Sequence, residues 1–189
     1  MKQSPELPHT IVADPPWKFR DSLPGPKRGA IKHYDLMSTA DIMAYELPEM
    51  HINSRLFLWR VASMQEDALQ VMRAWGYELK SEIVWVKKTK HGKRAFSMGH
   101  QVRNEHEVCL IGIKGHPMVH SRSIRSTFSI ENPSWFDATM GEHSEKPDDF
   151  YHIVKQLSPG PYVELFGRKK RSGWKVFGDE VEKKSCQFL

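Results

Sequence analysis

The sequence predicts an α/β protein: one mostly parallel sheet with helices on both faces. Three observations carry that expectation. Apolar runs alternate with amphipathic stretches in the order strand, helix, strand, helix, strand between Thr10 and Val86, which is the pattern of a doubly wound sheet. The runs Arg55-Leu56-Phe57-Leu58-Trp59 and Ile83-Val84-Trp85-Val86 are almost continuously apolar, as strands buried on both faces are. The chain has 189 residues, a length that suits one compact domain able to bury roughly 70% of its unfolded surface without staples.

Taken in order, residues 1–9 hold two prolines and read as a lead-in. Thr10 to Ala13 is a short buried strand, and Asp14-Pro15-Pro16-Trp17 turns the chain at its end. Residues 18–35 contain Pro24, Gly25, Pro26 and Gly29, which break regular structure. Lys27, Arg28 and Lys32 make this loop basic, and its place beside the turn suggests a lid. Ser38-Thr39-Ala40-Asp41 is a capping box opening a helix to about Glu46, and Pro48 stops it. After the strand at 55–59, Ser63-Met64-Gln65-Glu66 reads as a second capping box. The helix it opens carries Ala68, Leu69, Met72 and Trp75 at helical spacing and stops at Gly76.

The strand at 83–86 leads into a basic loop over 87–104, with Lys87, Lys88, Lys90, Lys93, Arg94 and Arg103. Glu107 to Ile113 is the next strand. A second basic loop, 114–130, carries His116, His120, Arg122 and Arg125. Pro147 opens a helix through Ile153, Val154 and Leu157, and Ser158-Pro159-Gly160 turns the chain into a strand at 162–166. A basic turn over 169–173 precedes a last strand, Trp174 to Phe177, and the tail from Glu180 frays. No internal repeat or second domain is evident, so residues 1–189 are expected to form a single domain with 1–9 and 181–189 flexible.

The formal charge is +5, before ten histidines are counted. A basic balance favours polyanions, nucleic acid first. The two cysteines, Cys109 and Cys186, lie far apart without metal-ligand spacing, as in a reducing, cytoplasmic setting. No signal peptide and no membrane span are expected. His116 and His120 are four apart, but Pro117 between them argues against one helix presenting both, so no metal is expected.

The turn at Asp14 carries the chemistry. A parallel strand delivers its end to the open edge of the sheet, where α/β proteins bind ligands. Pro15 and Pro16 stiffen the turn and expose carbonyl oxygens without competing donors. A carboxylate beside a rigid carbonyl suits an exocyclic amine with two N–H donors, and Trp17 offers a surface for stacking a base. The same residues also fit a plain helix start, with Asp as N-cap and Pro first.

Further blocks decide between these readings. Asp14-Pro15-Pro16-Trp17, Phe57-Leu58-Trp59, Glu82-Ile83-Val84-Trp85-Val86-Lys87, Cys109-Leu110 with Gly112 and Lys114-Gly115, Lys146-Pro147, Leu157-Ser158-Pro159-Gly160 and Glu164-Leu165-Phe166-Gly167-Arg168 stand in this order. With them the chain resembles the MT-A70 family of S-adenosylmethionine-dependent N6-adenine methyltransferases from about Thr10 to Glu180. The resemblance implies a Rossmann-like class I methyltransferase fold. It implies catalytic roles for Asp14, Pro15, Pro16 and Trp17, with Asp14 and the Pro15 carbonyl accepting from the target amine. S-adenosylmethionine would be the cofactor, held by Asp14, Lys146, Glu164, Phe166, Arg168, Asp179 and Glu180. Two departures stand out. Lys170-Arg171 replace a frequent His-Asn, and Gly178-Asp179-Glu180 stands where relatives carry Gly-Asn-Gln or Gly-Asn-Glu; Asp179 can accept from ribose but cannot donate as Asn does.

Tyr34, Lys18, Arg94, His100 and Arg103 are the expected substrate contacts. Tyr34 would stack on the base or close the lid, and packing explains it equally well. An adenine inside a duplex must be flipped out or arrive single-stranded, and the three basic loops are expected to border the site and hold phosphates. DNA is the expected polymer. RNA adenine methylation, or a non-catalytic nucleic-acid-binding partner of the same fold, is the alternative. The chain is expected to be a monomer or homodimer, with a heteromeric partner also open.

Overall fold

The computed structural model describes residues 6–18, 36–88, 91–96, 101–131 and 146–178. The strands are β1 (Thr10–Ala13), β2 (Ser54–Arg60), β3 (Glu78–Lys88), β4 (His106–Lys114), β5 (Thr127–Glu131), β6 (Tyr162–Leu165) and β7 (Trp174–Phe177). The helices are α1 (Thr39–Met43), α2 (Gln65–Ala74) and α3 (Asp148–Leu157). Seven strands form one sheet in the order β5-β3-β4-β2-β1-β6-β7. β1 lies parallel to β2 on one side and to β6 on the other, so the chain order reverses at β1. β4 runs antiparallel to both its neighbours. The sheet is therefore mostly parallel, as expected for a Rossmann-like methyltransferase fold.

Strand alternation divides the core between the two faces. Ile11, Ala13, Leu56 and Leu58 point to one side and pack with Ala68, Val71 and Met72 of α2. Val12, Phe57, Trp59, Ile83 and Trp85 point to the other and pack with Phe150, Tyr151 and Val154 of α3. Helices thus cover both faces.

The first capping box forms as read. The Asp41 N–H donates to Ser38 Oγ at 3.2 Å, and the Ser38 N–H donates to Asp41 Oδ2 at 3.2 Å. Thr39 Oγ1 then donates to Asp67 Oδ1 at 2.6 Å, tying α1 to α2. Ser38→Ala is expected to lower stability by about 1 kcal/mol in chemical denaturation. The second capping box does not form. Ser63 lies inside a 3-10 turn, Ala62–Met64, and α2 begins at Gln65 with no side-chain cap bond. Met64 is buried in the α2-side core, and that anchoring sets the helix start; Glu66 and Asp67 in the first turn favour the helix dipole instead. Gly76 ends the segment as expected, with φ of 80° and its N–H on Arg73 O at 2.9 Å.

Two further corrections concern the second basic loop. Its last residues form β5, parallel to the end of β3; the alternation Thr127-Phe128-Ser129-Ile130 is the signal, too short to stand out inside a basic stretch. The reversal of β4 also sends the loop to the wrong edge for its expected role. Lys114 pairs with Ser54 at the start of β2, whereas Asp14 follows the far end of β1. The loop after Lys114 stays at that opposite edge, where the His116 N–H donates to Asn53 Oδ1 at 2.9 Å. It does not border the Asp14 turn. The ends of the loop over 87–104 do: Lys87 and Asn104 line the cavity beside it, because β3 ends and β4 begins at the Asp14 edge.

Candidate active site

The end of β1, between β2 and β6, opens on a cavity of about 290 Å³. Asp14, Pro15, Pro16 and Trp17 all line it, as do Lys146 and Arg168. The turn is held by its own backbone. The Trp17 N–H donates to Pro15 O at 2.9 Å, and the Met37 N–H donates to Pro16 O at 2.9 Å. The proline carbonyls are thus not without competing donors, as the sequence suggested. Each keeps a second lone pair, so Pro15 O retains capacity for one further donor. Trp17 is 4% exposed, and its Nε1 donates to Trp59 O at 3.1 Å. Its ring is cavity wall joined to the core, which corrects the open stacking platform expected of it.

Lys146 lies just before α3. Its Nζ donates to Asp14 Oδ2 at 2.7 Å, stands 3.4 Å from Glu107 Oε2, and lies 5.1 Å from the centre of the Trp59 ring. Burial pulls the Lys146 pKa down, but Asp14 and then Glu107 more than reverse this, and the net direction is upward. The ammonium is therefore held charged. Glu107 also accepts an ion pair from Lys87 at 2.5 Å, and Lys87 sits 5.5 Å from the centre of the Trp85 ring. The result is an ion ladder, Lys87–Glu107–Lys146–Asp14, built from the ends of β3, β4, the α3 entry and β1. Such alternation lets buried charges offset one another's desolvation.

Glu164 faces a different set of partners. The Tyr151 hydroxyl donates to Glu164 Oε1 at 2.5 Å. Arg171 Nε lies 3.7 Å from Glu164 Oε2, and its guanidinium stacks 3.4 Å from the Tyr151 ring centre. Arg171 also pairs with Asp148 at the start of α3. Burial pushes the Glu164 carboxyl up, against the pull of Tyr151 and Arg171. Burial and then Glu164 push the Tyr151 phenol well up. Phe166 has φ of 60°, a left-handed conformation that costs a non-glycine residue about 1 kcal/mol or more. Its ring packs on Tyr45 at 4.8 Å. Glu164 and Phe166 are not among the residues lining the cavity, whereas Arg168 is.

Of the expected substrate contacts, Lys18, Arg94 and Arg103 are exposed and none lines the cavity. Arg94 pairs with Glu105 at 3.1 Å. Tyr34, His100, Asp179 and Glu180 lie outside the described residues. Sequence reasoning missed Lys87, Glu107 and Arg171. Glu107 had a signal, an acid opening a strand that is otherwise apolar; Lys87 and Arg171 are masked by neighbouring lysines.

Comparison with known families matches residues 8–180 to MT-A70. The chain belongs to the MT-A70 family. It is 30% identical over 177 residues to the N(6)-adenosine-methyltransferase MT-A70-like protein of Drosophila melanogaster, covering 91% of this chain and 26% of that protein. It is 28% identical to the human N(6)-adenosine-methyltransferase catalytic subunit METTL3, over 91% of this chain and 28% of METTL3. The chain thus spans about a quarter of the length of these relatives. It is also 24% identical to the type II methyltransferase M.MunI of Mycoplasma sp, over 94% of this chain and 81% of that protein. The aligned MT-A70 region takes in the whole ion ladder, from Asp14 to Lys146.

Proposed function

We propose that this chain transfers a methyl group from S-adenosylmethionine to the N6 amine of adenine in nucleic acid, with DNA the favoured polymer. The observation that carries the reading is the placement of Asp14. It stands at the open end of β1, on a turn fixed by two prolines, beside a cavity and a buried ammonium. Lys146 engages Asp14 Oδ2, leaving Oδ1 for an amine hydrogen. With the second lone pair of Pro15 O, two acceptors can address one nitrogen. They localise its lone pair and stabilise the positive charge that develops on it, an effect of about 3 kcal/mol per well-placed group.

The residues present fit the cofactor. Two ammonium groups, two carboxylates and two guanidinium groups around one cavity complement the carboxylate, amino group and ribose hydroxyls of S-adenosylmethionine. Lys146 would hold its carboxylate and Arg168 its ribose. When bound, the cofactor would supply an electrophilic methyl carbon on a sulfonium; the protein's part is to orient the amine and let the proton the nitrogen releases leave through Asp14 or solvent.

The preference for DNA is supported by the match to most of the length of a type II methyltransferase. RNA is the second reading, favoured by relatives named as adenosine methyltransferases. Mass spectrometry of nucleosides after incubation with cofactor and matched DNA and RNA tests both. N6-methyladenine from the DNA arm is expected. Product in the RNA arm alone would move the substrate to RNA, and N4-methylcytosine or no product would overturn the reading. Nucleic-acid affinity should fall with salt, by roughly 0.7–0.9 in log K per log unit of salt for each phosphate contacted. Arg103→Ala, in the loop beside the site, should lower that slope by about one contact. Arg122→Ala, at the opposite edge, should leave it unchanged.

A further inference from the structure

The opposite edge of the sheet holds a second cavity, of about 460 Å³. Ile83, Ile111 and Ile113 form its floor on the α3 face, and Val119 and Ile124 of the loop after β4 line its other side. Arg55 lies in its wall and is 5% exposed.

The charge on Arg55 is the anomaly. Buried charges are ordinarily paired. The Arg55 guanidinium donates to Leu157 O at 2.8 Å, and no ion pair of Arg55 is found among the described residues. Leu157 ends α3, so the helix dipole offsets about half a unit charge there. No carboxylate among the described residues supplies the rest. Glu82 is the carboxylate among the lining residues, but strand alternation from Ile83 turns its side chain to the α2 face, where its charge acts on Arg60. Lys80 is held by Glu78 at 2.6 Å. Arg125 at the rim is exposed and adds to the positive field. The cavity combines an apolar floor with a buried cation that has no carboxylate partner among the described residues.

We propose that this cavity binds a small organic anion: an apolar body with one carboxylate or phosphate head, the head set on Arg55. The ligand differs from both partners of the methyl-transfer site, and the two cavities open at opposite edges of one sheet. Binding here therefore stands or falls independently of the methyl-transfer reading.

Calorimetric titration of the full chain with octanoate, octyl phosphate, octanol and inorganic phosphate tests it, with neither cofactor nor nucleic acid present. Octanoate or octyl phosphate should bind at least 10-fold more tightly than octanol and inorganic phosphate, and the tighter of the two identifies the head group. Arg55→Met should weaken that binding at least 10-fold. Ile124→Trp, which fills the cavity from the loop side and leaves Arg55 in place, should do the same and decides the matter if Arg55→Met fails to fold. Equal binding of octanol, or wild-type affinity in a folded variant of either kind, would overturn the proposal. So would displacement of bound octanoate by a short DNA duplex, which would assign the surface to nucleic acid.

Discussion

Asp14→Ala is expected to cut methyl transfer about 10³-fold, roughly 4 kcal/mol of transition-state stabilisation, while the chain remains folded. The fold should survive because Asp14 is a turn residue whose carboxylate is 26% exposed, and because Glu107 still faces Lys146 when Asp14 is gone. The turn itself is held by backbone hydrogen bonds from Trp17 and Met37, which the substitution does not touch. The activity should not survive, because the acceptor charge meeting the developing ammonium is lost. Asp14→Asn separates charge from shape: it keeps one acceptor oxygen and loses the negative charge, and should fall between wild type and alanine. Single-turnover rates with saturating cofactor, alongside thermal melts, provide the comparison. Near-normal turnover in folded Asp14→Ala would remove Asp14 from its role.

Most of the sheet was legible in the sequence because its strands are buried on both faces. Thr10–Ala13, Ser54–Arg60 and Tyr162–Leu165 are central, and the mostly apolar stretches within them announce them. β5 was not legible, since an edge strand of alternating polar residues carries little hydrophobic signal. The direction of β4 was not legible either. Its composition is that of a buried strand, and nothing in Glu107–Ile113 distinguishes a strand running with its neighbours from one running against them. That one reversal moved the basic loop after Lys114 to the far edge and carried Glu107 to the site. The Asp14 turn was readable because proline and aspartate act locally. The ion ladder was not, because it is a property of four chain segments meeting: Lys146 was expected at the cofactor through the family resemblance, and Lys87 looks like a solvated surface charge until the fold buries it. Trp17 shows the converse: its ring was read as a ligand platform, and tertiary packing placed it in the core.

Lys146→Met should weaken cofactor binding about 10- to 100-fold and lower stability by about 3 kcal/mol, near the low end for breaking a buried ion pair. The stability loss follows from what the side chain leaves behind. Lys146 is 7% exposed and touches two carboxylates; without it, Asp14 and Glu107 face one another as like charges. Lys87 stays on Glu107, which holds the cost to the low end. The pH dependence has a definite sign. The Lys146 pKa is raised in the folded state despite burial, because Asp14 and Glu107 outweigh it. Its contribution is therefore complete below the ordinary lysine pKa near 10.4 and disappears as pH rises through the higher folded value. Wild type and Lys146→Met should differ by a constant amount at neutral pH and converge in strong alkali. Affinity for S-adenosylhomocysteine, measured calorimetrically, reads the second effect: an unchanged Kd in a folded variant would take Lys146 out of the cofactor site. Lys146→Arg distinguishes charge from shape. Its planar fork cannot reproduce a compact ammonium shared between two carboxylates, so it should restore stability in part and cofactor affinity less, whereas a purely structural lysine would be rescued equally in both.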